Sequence, residues 1–115
     1  MKEIAERLKA LSDPTRLRVL NLLEHGELCV CDLMAVLELP QPKVSRHMAF
    51  LKRTEWVTSR RCGKWIYYSL AAPENPVQGS VLSALRQAMP QVPQATEDHE
   101  QLCRHLKTKN TGSCG

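Results

Sequence analysis

The sequence predicts a mainly α fold with one β-hairpin (α+β). Apolar residues recur at helical spacing through four successive segments before residue 55. Two strand-like runs then flank Cys62-Gly63, which has the form of a hairpin turn. Positive charge gathers on the last of the four helices and on the hairpin. Two short helices joined by a tight turn, the second basic and followed by a basic hairpin, give the order of a winged helix-turn-helix.

Each element has a local reason. Ile4, Leu8 and Leu11 mark a first helix over residues 2–11. Asp13 is a good N-cap, and Pro14 suits the first position of a second helix over about 14–25, because its missing N–H costs nothing there. Gly26 ends that helix. Leu33 and Val36/Leu37 give the inward stripe of a third helix over about 30–37. Pro40 breaks the chain, and Pro42 helps to open a fourth helix over about 41–54 with Val44, His47/Met48 and Leu51 inside. The hairpin pairs residues 57–61 with 64–70, and Trp65, Tyr67 and Tyr68 read as its packing residues. Val77, Val81, Leu82, Leu85 and Met89 stripe a fifth helix over about 77–89. Residues 1–90 are therefore expected to form the winged helix-turn-helix domain. Residues 91–115 are expected to be a polar, partly disordered C-terminal tail with a short polar helix near 95–107.

Composition narrows the function. Residues 41–64 hold seven basic side chains (Lys43, Arg46, Lys52, Arg53, Arg60, Arg61, Lys64) against Glu55 alone, whereas residues 1–40 carry five basic and seven acidic ones. So focused a charge suits a polyanion. No secretory signal and no apolar run of membrane-spanning length is evident, so a cytoplasmic protein with no membrane partner is expected. An enzyme is not expected: no His or acid is spaced to activate a cysteine, and there is no phosphate-cradling glycine loop.

The major groove of duplex DNA admits one helix, whose N-terminal half meets base edges. On the fourth helix that surface is Gln41, Lys43, Ser45, Arg46 and Ala49. Gln pairs with adenine and Arg with guanine, and Ala49 permits close approach. Lys43, Lys52 and Arg53 are placed for phosphates, and Arg60, Arg61 and Lys64 for the DNA backbone or minor groove from the wing.

Five cysteines, an odd number, point to free thiols, ligands or redox chemistry rather than a disulfide framework. Cys29 and Cys31 stand one residue apart at the start of the third helix. On a regular helix such neighbours point in nearly opposite directions, so they share one ion only if the helix start is unformed or distorted. A helix N-terminus favours the thiolates that soft ions bind. Cys103 with His99 and His105 could bind zinc, although a solvated helix is the better account of that cluster. Cys62 lies at the wing turn, away from the third helix.

Leu28-Cys29-Val30-Cys31-Asp32-Leu33, then Gln41-Pro42-Lys43-Val44-Ser45-Arg46-His47, then Gly63-Lys64-Trp65, resemble the ArsR/SmtB family of metalloregulatory repressors, in its arsenical-resistance ArsR branch. The resemblance covers about residues 4–70. It implies a homodimer formed by the first and fifth helices, and so a dimerisation role for the 1–90 domain. It also implies operator DNA as partner and arsenite- or antimonite-responsive repression, with Cys29 and Cys31 as ligands and trivalent arsenic or antimony as inducer rather than constitutive cofactor. Relatives of this type often carry a third cysteine three residues after the second, where this chain has Met34. Cys114 is the candidate replacement. A thiol redox switch, or a cadmium/lead response like that of CadC-type sensors, is the alternative within the same fold.

Overall fold

The computed structural model describes residues 1–109. The first helix, α1 (Lys2–Lys9), buries none of its own residues; Ala10 and Leu11, just past its end, are buried. Helix α2 (Pro14–Leu23) starts where Asp13 accepts a hydrogen bond from the Arg16 N–H at 3.0 Å, with Pro14 at the first position. Its Val19, Leu20, Leu22 and Leu23 enter the core.

Helix α3 (Val30–Leu37) ends at Glu38, which takes a left-handed φ of 57° and donates its N–H to the Met34 carbonyl at 2.9 Å. That residue turns the chain into Pro40 and α4 (Gln41–Arg53). Leu33, Val36 and Leu37 of α3 join Val44, Met48 and Leu51 of α4 in one core cluster. The angle between the two helices is thus fixed by close packing across a three-residue turn.

A second left-handed residue, Glu55 (φ 66°), stops α4. The Trp56 N–H bonds the Leu51 carbonyl at 2.9 Å and the Glu55 N–H bonds that of Lys52 at 3.0 Å, a Schellman arrangement. Trp56 is fully buried, and its indole N–H donates to the Arg7 carbonyl at 2.8 Å. This tryptophan anchors α1 to the body of the protein.

The hairpin strands are β2 (Val57–Cys62) and β3 (Trp65–Leu70), by the order in which they follow a short strand β1 (Leu28–Cys29). The sheet order is β1-β3-β2 and all pairs are antiparallel. Cys62 closes β2 opposite Trp65, so the turn is Gly63–Lys64, one residue later than the sequence suggests, and Gly63 takes the positive φ of 62°. The two-residue β1 was not expected. It is too short to show alternation and exists because Leu28 and Cys29 pair with Tyr68 and Tyr67.

Helix α5 (Pro76–Ala88) is capped by Asn75, which accepts from the Gln78 N–H at 2.8 Å. The buried Gln78 side-chain amide donates to the Glu55 carbonyl at 2.7 Å, tying α5 to the end of α4. A 3₁₀ turn (Met89–Gln91) leads into α6 (Pro93–Lys109). The segment read from sequence as a polar tail is here a packed helix as far as Lys109. Ala95, Asp98 and Leu102 are buried on one stripe, and Leu102 belongs to the main core. Asp98 is held by a two-pronged ion pair from Arg18 at 2.8 Å and 2.8 Å. A stripe of one alanine, one aspartate and one leucine is a weak periodic signal, which is why composition alone reads this helix as solvated.

Because Leu102 is fully inside, Leu102→Ala is expected to destabilise the chain by about 2–5 kcal/mol in urea unfolding. A loss below about 0.5 kcal/mol, as at an exposed site, would show that α6 is not part of the core.

Candidate DNA-binding face and thiol site

The two groups of sequence-predicted residues fall on two separate surfaces joined by α3 and α4. On α4, Gln41, Lys43, Arg46, Ala49, Lys52 and Arg53 are exposed, and Ser45 is partly exposed between them. The buried stripe of Val44, Met48 and Leu51 turns this opposite face outward. His47 is half-buried at its border.

Arg16 of α2, which sequence reading missed, borders the same face. Its Nε donates to the Ala10 carbonyl at 2.6 Å and its guanidinium stacks on Phe50 at 4.4 Å. Arg53 stacks on the same ring at 4.8 Å. Arg16, Lys43, Arg46, His47, Ala49, Phe50 and Arg53 line an open groove of about 600 Å³. No sequence motif signals Arg16, because only the packing of α2 against α4 brings it there.

The wing cations do not behave alike. Arg61 and Lys64 are exposed, with the Lys64 ammonium 5.5 Å from the Trp65 ring. Arg60 donates twice to Glu27, at 2.7 Å each, and lies 4.9 Å over the Tyr67 ring. It is thus tied to the residue before β1 rather than standing at the hairpin tip.

At the other surface, Cys29 is the N-cap of α3. It has extended backbone (φ −89°, ψ 168°), and its side chain is 2% exposed. Cys31 is the second helical residue and is half-buried. The helix has therefore not begun at the first thiol, which is the condition the spacing required for two such neighbours to serve one ion. Their donor set, two sulfurs, fits a thiophilic trivalent ion. Among the described residues, no group of three or more His, Cys, Asp or Glu is arranged to hold a metal ion. Cys114 lies outside the described residues.

Asp32 organises this site, and sequence reading gave it no role. It is 2% exposed, and its carboxylate accepts hydrogen bonds from the Cys29 N–H at 2.9 Å and the Cys29 thiol at 3.3 Å. From α6, the His105 ring (Nε2) donates at 2.8 Å and the Lys109 ammonium at 2.8 Å. Lys109 also reaches the Cys29 sulfur at 3.5 Å. Burial by itself would raise the carboxylate pKa; the Lys109 ammonium, the Cys29 N–H and the His105 ring outweigh it and hold Asp32 below the usual range. Burial first, with the neighbouring carboxylate adding to it, pushes the Cys29 thiol upward.

The possible zinc group separates in three dimensions. His105 turns to Asp32, while His99 stacks on His25 with centroids 4.1 Å apart and lies 3.7 Å from the Cys103 sulfur.

Comparison with known proteins agrees with this architecture. Residues 13–59 match the sequence profile described as bacterial regulatory protein, arsR family. The chain is 50% identical over 64 residues to the arsenical resistance operon repressor of Escherichia coli (strain K12), covering 55% of each protein. It is 51% identical over 69 residues to the arsenic resistance transcriptional regulator ArsR1 of Pseudomonas putida KT2440, covering 59% of this chain and 53% of that one. The match thus spans little more than half the length of these relatives. The crystal structure of the transcriptional repressor BigR from Xylella fastidiosa superposes with a TM-score of 0.63 at 31% identity, over 75% of this chain and 82% of that one. The winged helix-turn-helix and these similarities establish that the chain belongs to the ArsR family of bacterial regulatory proteins.

Proposed function

We propose that this chain is a metalloid-responsive transcriptional repressor. It binds operator DNA as a homodimer through α4 and the hairpin wing, and it lets go when arsenite or antimonite bonds to Cys29 and Cys31. The observation that carries the reading is the position of the two thiols. They straddle the boundary between the extended N-cap and the first turn of α3, and α3 shares one core with the DNA-facing helix. Drawing both sulfurs onto one atom must change the start of α3, and close packing passes a rigid displacement to α4.

Unspent apolar surface supports the dimer. No residue of α1 is fully buried in the single chain, Leu8 is 39% exposed and Val77 of α5 is 38% exposed. Ile4, Leu8 and Val77 border one cleft between these helices, above Trp56. A homodimer reading a two-fold operator must set its two α4 helices on successive major grooves, about 34 Å apart.

The thermodynamics are reciprocal. The inducer weakens DNA binding only as far as DNA weakens inducer binding, typically by about 1–3 kcal/mol.

Three outcomes are expected. In a gel-shift titration, arsenite releases operator from the native protein but not from Cys29→Ser; equal release from both would reject the sensor. Arg46→Ala lowers operator affinity by about tenfold or more with little loss on unrelated duplex, whereas Lys43→Ala weakens both and lowers the salt slope by about one. Leu8→Glu in α1 shifts the protein to monomer in sedimentation velocity; a persistent dimer would place the interface elsewhere.

A further inference from the structure

Lys109 sits far from the matched family segment, on the last turn of α6, yet its ammonium contacts both Cys29 and the carboxylate beside it. It lies 2.8 Å from Asp32 Oδ1, 3.5 Å from Cys29 Sγ and 5.9 Å from the centre of the Tyr67 ring. His105, one turn earlier, bonds the same carboxylate oxygen. The carboxylate touching Cys29 through Oδ2 is thus engaged at Oδ1 by two donors from α6.

This matters differently for two kinds of thiophilic ligand. Arsenous acid is uncharged. It condenses with two thiols: two S–As bonds form, two As–O bonds break, and each departing oxygen leaves as water with a thiol proton. Arsenic stays trivalent, and two sulfurs with the remaining hydroxide complete its three bonds. A soft divalent cation instead displaces two protons into solvent, arrives as a dication and commonly seeks four ligands. An oxygen donor beside the pair is Asp32 Oδ2, at 3.3 Å from the Cys29 sulfur. Lys109 holds the other oxygen of that carboxylate, Oδ1, at 2.8 Å, so it offsets the negative charge a cation would need there, and its ammonium repels the incoming dication at short range.

We propose that Lys109 is a specificity-determining residue of the thiol site: by occupying Asp32 and placing an ammonium beside Cys29, it disfavours divalent soft cations while leaving neutral trivalent arsenicals acceptable. The proposal rests on Cys29 and Cys31 being the inducer ligands, and it deepens that reading by naming what selects the inducer. Lys109 acts through Asp32 and Cys29, with His105 in support.

The test compares full-length native protein with Lys109→Gln, Lys109→Met and Lys109→Arg. Cadmium binding is read from thiolate-to-cadmium ultraviolet absorption on the DNA-free protein. Arsenite and cadmium release of labelled operator is read by fluorescence anisotropy, and thermal melting checks folding. Removing the charge in the Gln and Met variants is expected to tighten cadmium binding by about tenfold or more, the size of effect that groups around the first ligands have on metal affinity. Arsenite midpoints should move much less, and Lys109→Arg should behave as native. A gain of affinity is not produced by a variant that merely folds poorly. A cadmium-to-arsenite preference unchanged in folded Gln and Met variants, with native protein still answering arsenite, would overturn the role of Lys109 alone. A native protein that binds neither ligand through Cys29 and Cys31 would overturn the thiol-sensor reading beneath it.

Discussion

A carboxylate shut away from water needs donors on every side, and Asp32 collects them from separate stretches of chain. The Cys29 N–H and thiol come from β1, His105 and Lys109 from α6. Losing the Lys109 ammonium would leave the buried charge less well compensated, at a cost in stability. The carboxylate therefore fixes where α3 begins, where the first thiol sits and where α6 ends. Pairing of Cys29 with Tyr67 adds the root of the wing to the same junction.

The second constraint is the short turn at Glu38. With φ at 57°, this residue holds a conformation that favours glycine, and it keeps α3 and α4 packed against one another. Nothing between the thiols and the DNA-facing helix is loose: α3 is only eight residues long, and its buried side meets the buried side of α4. A distortion at its first turn has no slack in which to dissipate. Under the proposed function, this rigidity carries a small chemical event at two sulfurs to a surface lying across the core.

The basic face is likewise shaped by packing rather than by composition. Phe50 presents a ring on which Arg16 and Arg53 both stack, which aligns two cations from different helices beside Lys43 and Arg46. Arg60, counted with the wing charges in sequence, is drawn off by Glu27. Net charge along a segment therefore overstates what the wing can present to phosphates, and understates what α2 adds.

Local physics settled much of this molecule in advance. Asp13-Pro14 opens α2, Pro40 separates α3 from α4, Pro42 sits in the first turn of α4, and Gly63 turns the hairpin, because caps, prolines and positive-φ positions act within a few residues. The same holds for the apolar stripe that leaves the α4 cations outside. What lay beyond the sequence was every relation between distant positions: the two-residue β1, Trp56 bonding Arg7, Arg16 beside α4, and above all α6. Its Leu102, His105 and Lys109 have no local pattern that distinguishes them from a solvated tail. Their roles exist only once residues some seventy positions earlier are folded against them, since burial and charge pairing are properties of neighbours in space.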